Sequence, residues 1–327
     1  MKFVIVGSGN ISNTYVKALA NIENAELTGI VSRKGKKPSS LNNADIEVAG
    51  SINKIKNDFD AVILCTPNAF HHEGAVEAAG IGKHVLTEKP LDISLENMDL
   101  MINSCRKANV KLGVAYQRRT SPDNITIKKI IQENKLGKIF AADLTVKNYR
   151  DDNYYKSGDY RGTWKIDGGG PFMQQASHYI DLYGWFFGKP DKVVSFLDTF
   201  MHDIETEDHG AVLFRYNNNM IGAIVASTAA KPGFAAKLEI HSEAGTIIME
   251  NDVITGWYIE NIENPGRNSG LEIHTGAQTA SVEDTQRHEE IINDFIQSIN
   301  EDRDPLVTGE SARLATEIIL QIYYNRV

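Results

Sequence analysis

Phe3-Val4-Ile5-Val6 is a short apolar run that stops at Gly7-Ser8-Gly9-Asn10-Ile11-Ser12. Beyond it, Ile11, Tyr15, Ala18 and Leu19 fall on one face of a helical stretch. Strand, glycine turn and helix in this order form the context that a G-x-G-x-x-G fingerprint requires. Gly7 permits the tight turn, and Gly9 lets the backbone approach a pyrophosphate. The helix start then offers its free N–H groups to the phosphates. Gly7, Ser8, Gly9, Asn10 and Ile11 are therefore candidate contacts of a dinucleotide. The third small position is Ser12 rather than glycine, a mild departure, and an anion-free glycine turn is the alternative reading.

Residues 26–31 give a second strand. An NAD-preferring site carries an acidic residue at its end, bonded to the ribose 2′-hydroxyl. Here Ser32-Arg33-Lys34 follow, and then Lys36 and Lys37. An arginine can pair a 2′-phosphate and stack on adenine. One charge-assisted bond nets about 1.5–3 kcal/mol, roughly a 10- to 100-fold preference. NADP is the expected cofactor and NAD the alternative; a solvated basic loop is the other reading of these charges.

Residues 60–65 read as a buried strand ended by Thr66-Pro67-Asn68, after which His71-His72 open an alanine-rich helix. The turn, with His71, is expected to line the nicotinamide or ribose pocket, a surface or capping histidine being the alternative. Next comes Gly82-Lys83-His84-Val85-Leu86-Thr87-Glu88-Lys89-Pro90, where the apolar run 84–86 reads as a parallel strand. Open parallel sheets bind ligands at the carboxyl ends of their strands, which is where Glu88 and Lys89 fall. Burial lowers a lysine pKa and makes it a proton donor or acceptor near neutrality. The alternative is a surface lysine capping a strand. A last strand, 110–116, ends in Gln117-Arg118-Arg119, with Gln117 and Arg118 again at that edge. The expected division is 1–119 and 120–327, the C-terminal helix packing back on a domain.

The second half reads differently. Residues 140–150, 193–200, 210–216, 220–228 and 236–241 alternate like strands with few helices between them, suggesting a large antiparallel or mixed sheet. Asp167-Gly168-Gly169-Gly170-Pro171 leads into a helix-like segment in which Gln174, His178 and Asp181 lie at i, i+4 and i+7. That spacing puts them on one face, either a catalytic wall or a core histidine satisfied by Asp181. No third ligand stands at useful spacing for a metal, so none is expected. Upstream, Tyr149, Arg150, Tyr154 and Tyr155, then Tyr160, Arg161 and Trp164, combine faces that stack on sugars with guanidinium groups that bind phosphate or carboxylate. An exposed loop with aromatic latches is the bland alternative.

A net charge of −9 over 327 residues gives no global attraction for nucleic acid or anionic membranes. The two cysteines, Cys65 and Cys105, imply no disulfide framework. The start is too short in apolar residues for a signal peptide, and no run approaches the roughly 20 apolar residues of a membrane span. A cytoplasmic location is expected.

Taken together, the glycine turn, Thr66-Pro67-Asn68 with His71, Glu88-Lys89-Pro90, and Asp167-Gly168-Gly169-Gly170 through His178 and Asp181 resemble the glucose–fructose oxidoreductase, inositol dehydrogenase and rhizopine-catabolism family (Gfo/Idh/MocA) over almost the whole chain. The resemblance implies an N-terminal α/β Rossmann domain with a parallel doubly wound sheet. It also implies an α+β C-terminal domain with a large, mostly antiparallel open sheet. It further implies a nicotinamide-dependent oxidoreductase acting on sugars, cyclitols or nucleotide sugars, with Lys89 and His178 as the acid–base residues and a homodimer or homotetramer built on the second-half sheet. Gln174 stands where the family usually has an acid, so it can orient a hydroxyl but cannot take a proton. Expected substrate contacts are Lys89, Arg118, Tyr149, Arg161, Trp164, Gln174, Gln175 and His178. A non-catalytic dinucleotide-binding or sensing protein of the same fold is the alternative.

Overall fold

The computed structural model describes residues 1–264 and 285–327. They fall into two compact units. The first holds Met1–Gln117 and the described residues up to Arg313; the second runs from Arg118 to 264 and resumes at Leu314–Val327.

The first unit is built on six parallel strands. They are β1 (Lys2–Val6), β2 (Glu26–Val31), β3 (Glu47–Ala49), β4 (Ala61–Leu64), β5 (His84–Thr87) and β6 (Leu112–Val114). Their spatial order is β3-β2-β1-β4-β5-β6, the doubly wound dinucleotide-binding order. Helices cover the sheet, so Val4, Ile5, Val62, Ile63 and Val85 are wholly buried, which is why these strands read as continuous apolar runs. Helix α1 (Asn10–Ala20) buries Tyr15, Ala18 and Leu19, as its spacing predicts. Helices α2 (His71–Gly80) and α3 (Leu95–Lys107) follow β4 and β5. Ser94 caps α3, its hydroxyl accepting from the Asn97 amide at 3.1 Å.

The second unit contains a seven-stranded sheet. Its strands are β7 (Ile139–Lys147), β8 (Lys192–Asp198), β9 (His209–Arg215), β10 (Ile221–Ser227), β11 (Lys237–Ser242), β12 (Gly245–Glu250) and β13 (Val253–Ile259). The order is β13-β12-β11-β7-β10-β9-β8, antiparallel throughout except that β7 and β10 run parallel. One face buries Leu144, Val212, Phe214, Ile224, Ile240 and Ile247, and the residues between them face outward. The hairpin β12–β13 lies beyond the strands expected from alternation. Helices α4 (Pro122–Gln132), α5 (Asp152–Lys156), α6 (Pro171–Gln174) and α7 (Ser177–Phe187) also belong here.

Sequence order assigns 120–327 to one body, but α8 (Gln286–Asn300) lies in the first unit. The reason is packing against α1: Asn21 donates to Glu289 Oε1 at 2.7 Å, and the rings of Tyr15 and His288 meet edge-on at 5.3 Å. The last helix, α9 (Gly309–Tyr324), begins in the first unit and continues in the second. Among the described residues no helix is long and apolar enough to cross a membrane.

Candidate active site

Parallel strands bring all their carboxyl ends to one edge, and the ladder continues past the strands there. Gly7 N donates to Val31 O at 2.8 Å, Cys65 N to Val6 O at 2.7 Å, Glu88 N to Leu64 O at 2.9 Å and Ala115 N to Thr87 O at 2.9 Å. The edge therefore gathers Gly7 to Ile11, Ser32 to Lys34, Thr66 to Asn68, Glu88 with Lys89, and Gln117. Gly7 has φ +117°, and a Cβ there would stand 2.5 Å from Cys65 O, so glycine is obligatory on two counts. At Gly9 an added Cβ would meet nothing within 4 Å. Gly9 is the N-cap of α1, no side chain caps that terminus, and its first turn carries no acidic residue. Uncapped N–H groups facing open space suit a pyrophosphate, so these residues fit a dinucleotide.

Beside this turn, the Ser8 and Ser32 hydroxyls lie 3.3 Å apart, and Ser32 Oγ accepts the Lys36 amide at 3.1 Å. Arg33 is exposed, ion-paired with Glu73 of α2, with its guanidinium 5.8 Å from the Phe70 ring centre. Lys34 is exposed. His71, expected at the cofactor, is instead fully buried. Its ring nitrogens lie 2.8 Å from Pro90 O and 3.0 Å from Thr66 O, because α2 turns its first side chain inward. That removes it from the direct cofactor contacts.

In the second unit the expected continuous helix is broken. Pro171 starts α6, which ends at Gln174; Ala176 is the N-cap of α7. The i, i+4, i+7 stripe therefore does not hold. Gln174 donates its side-chain amide to Asp167 O at 2.7 Å, and Gln175 donates to the Tyr154 hydroxyl at 3.2 Å. Arg161 lies 4.3 Å over the same Tyr154 ring and Arg150 lies 5.3 Å from it. Gln174, Gln175 and Arg161 thus come together around Tyr154 and Asp167. Tyr154 and Arg150 belong to the run of aromatics and arginines at 149–155 that the sequence offers for substrate contact. Tyr149 is half-buried, with the Lys231 ammonium 5.0 Å from its ring, and His178 is half-buried in the first turn of α7.

Asp181, Arg118 and Trp164 each have partners within the unit. Asp181 does not satisfy His178: both its oxygens take the Arg119 guanidinium, at 2.8 and 2.6 Å, in a pair buried on both sides. Burial raises the Asp181 carboxyl and Arg119 opposes that rise. Arg118 is committed to an ion pair with Asp252 and stacks 4.1 Å over Tyr179. Trp164 donates its indole N–H to Glu205 O at 2.9 Å and meets Tyr323 edge-on at 5.1 Å, which makes it a tie within the fold.

The glycine run passes close to bulky groups, as expected, and the structure identifies them. A Cβ on Gly169 would stand 2.1 Å from the Tyr323 hydroxyl, and one on Gly170 would stand 1.8 Å from Glu207 O. The buried Glu207 carboxylate accepts Gly170 N at 3.0 Å, Phe172 N at 3.4 Å and the Tyr323 hydroxyl at 2.9 Å. Burial pushes Glu207 up to about 7 from 4.5, against the pull of those donors. A raised acid favours the protonated fold, so its contribution is fully present below pH 4.5 and lost as pH climbs through about 7. Chemical unfolding across that window should lose about 3 kcal/mol, and Glu207→Gln should flatten the slope.

Residues 1–116 match the model described as an oxidoreductase family with an NAD-binding Rossmann fold, and residues 125–248 match the GFO/IDH/MocA C-terminal domain. An oxidoreductase of Formosa agariphila is 29% identical over 196 residues, 58% of this chain and 61% of that protein. The scyllo-inositol 2-dehydrogenase (NADP(+)) IolW of Bacillus subtilis is 28% identical over 206 residues, 62% of this chain and 56% of that protein. The match thus spans less than two thirds of either relative's length. The crystal structure of the WlbA dehydrogenase from Bordetella pertussis, in complex with NADH and UDP-GlcNAcA, superposes with a TM-score of 0.86 at 27% identity, covering 99% of this chain and 95% of that one. With both of its domain models matched in sequence order, this chain belongs to the GFO/IDH/MocA family of oxidoreductases.

Proposed function

We propose that this oxidoreductase moves a hydride between a nicotinamide and a secondary alcohol carbon of a sugar, cyclitol or nucleotide sugar. The bound cofactor supplies the hydride chemistry. The protein's part is to hold the substrate carbon in place and to move the proton of its hydroxyl. In this reading His178 takes that proton and Lys89 steadies the developing alkoxide, or the two exchange roles. The observation that carries the reading is the carboxyl edge, where the uncapped glycine turn after β1 and Glu88-Lys89 after β5 stand on strand ends separated only by β4.

An anionic sugar is favoured as substrate. Arg161 stacks on Tyr154 and Tyr160 and has no ion pair among the described residues. A guanidinium so placed suits a carboxylate or phosphate. The solved Bordetella relative holds a nucleotide sugar. The test is nicotinamide reduction with NADP or NAD across UDP-sugars, sugar acids and cyclitols. Reduction by at least one anionic sugar is expected. Cofactor that binds tightly but stays oxidised throughout would favour the non-catalytic binding protein, the reading to which Gln174, an amide tied to Asp167 O, lends support.

NADP remains the proposed cofactor. Arg33 is exposed at the end of β2, and its surface pair with Glu73 is worth only about 0–1 kcal/mol, so a 2′-phosphate can compete for it. Arg33→Ala should weaken NADP binding by roughly 10- to 100-fold and leave NAD within a few-fold, read by fluorescence titration.

Self-association through the second-unit sheet is proposed as well. On its outer face Phe196 is 62% and Leu213 59% exposed, beside Val194 and Ile221, an apolar patch unusual on a free surface. Phe196→Lys should lower the mass seen by light scattering from dimer or tetramer toward monomer.

A further inference from the structure

The two histidines that open α2 grip the loop after β5. His71 is fully buried, and its ring spans two carbonyls: Nδ1 lies 2.8 Å from Pro90 O and Nε2 lies 3.0 Å from Thr66 O. One imidazole thus stands between the loop after β4 and the residue that follows Lys89, and with its proton on Nδ1 it donates to Pro90 O. His72 holds the same loop two residues on. Its backbone N–H reaches Asp92 Oδ2 at 3.3 Å and its Nδ1 stands 3.0 Å from that oxygen. Asp92 is itself fully buried, and its other oxygen accepts Ile93 N at 2.7 Å, Ser94 N at 3.3 Å and the Asn97 side-chain amide at 3.0 Å. From the other side Glu88 Oε2 accepts Lys89 N at 3.1 Å while Oε1 accepts the Tyr15 hydroxyl at 2.7 Å.

The run Glu88-Lys89-Pro90-Leu91-Asp92 is thus fixed before, within and after Lys89. Four of its five residues are buried; Lys89 alone is half-buried. A buried segment pinned this closely around one side chain that is not buried is a mount for that side chain. We propose that His71 and His72 are positioning residues for Lys89, His71 through the Pro90 carbonyl and His72 through the Asp92 carboxylate. This rests on the reading of Lys89 as an acid–base residue. The histidines' effect runs through the placement of the ammonium, where an error of about 1 Å can cost about 10²-fold in rate.

The geometry supplies its own control. The amide nitrogen of asparagine falls near the Nδ1 position of histidine, and that of glutamine near Nε2. His71→Asn keeps a donor toward Pro90, whereas His71→Gln keeps one toward Thr66 only. We expect His71→Gln to lose roughly 10- to 100-fold in kcat with cofactor affinity nearly unchanged, and His71→Asn to stay within a few-fold of the parent. In a Lys89→Met background the two should be indistinguishable, because the group they position is gone. Equal losses for Asn and Gln, or losses that persist undiminished in that background, would overturn the proposal while leaving Lys89 in place. If Lys89→Met itself keeps full turnover, the acid–base reading falls, and the positioning role with it. Should the His71 variants not fold, His72→Ala decides, since Asp92 keeps its backbone donors: a several-fold fall in kcat at constant cofactor affinity supports the proposal, and unchanged kcat overturns it.

Discussion

Lys89→Met should lower turnover by about 10²–10⁴-fold, the usual worth of a positioned proton donor or acceptor, while cofactor binding stays within a few-fold. The separation of the two effects follows from how the residue is held. Its backbone amide is fixed by Glu88 Oε2, and the neighbouring Pro90 carbonyl by His71. None of these contacts uses the lysine side chain. Methionine matches the stem in length and flexibility and carries no charge, so the loop should keep its path. Dinucleotide contacts at the glycine turn depend on Gly7, Gly9 and the start of α1, which the substitution leaves alone. Stopped-flow turnover and a cofactor titration on the same preparation would check both halves. Unchanged turnover would remove Lys89 from the chemistry; a large loss of cofactor affinity would recast it as a binding residue.

Much of the first unit is legible in the sequence because its physics is local. Strands β1, β4 and β5 are buried on both faces, so they appear as unbroken apolar runs closed by glycine or proline. The parallel sheet then fixes which residues share the carboxyl edge, and the candidate cofactor residues fall there by topology alone. Strand β3 escaped because it is three residues long and only half-buried, too short to give an apolar run. The β12–β13 hairpin escaped although Ile247 and Met249 alternate inward; its turn uses Asn251 and Asp252 at φ +46° and +70°, a conformation that the residue types permit but do not demand. What could not be read at all is pairing across sequence. Nothing near Asp181 announces Arg119, 62 positions away, and nothing near the glycine run announces Glu207 or Tyr323. The inward turn of His71 has the same origin: a histidine at a helix start shows its type, not the direction of its side chain.

The Arg119–Asp181 pair also sets the largest stability effect expected in the second unit. Arg119 is 2% and Asp181 1% exposed, so neither charge has water to fall back on. The guanidinium is held bidentately, with the Trp185 ring 5.4 Å away. Asp181→Ala removes the carboxylate that holds this buried cation bidentately, and arginine cannot discharge itself by losing its proton. The cost should be about 3–5 kcal/mol, seen as a lower denaturant midpoint at unchanged slope. Removing both charges is a different matter. Arg119→Met with Asp181→Leu replaces a desolvated pair by apolar volume, which is typically neutral or stabilising by about 1–4 kcal/mol, so the double variant should recover most of what the single one loses. Recovery would show that the penalty lies in the lost counter-charge and not in any requirement for the pair itself. Equal destabilisation of single and double variants would mean that the ion pair specifies the seat of α7. Because that helix carries His178 in its first turn, turnover of the recovered double variant tells the two apart: stability restored with activity still lost would identify the pair as the anchor that aims the imidazole.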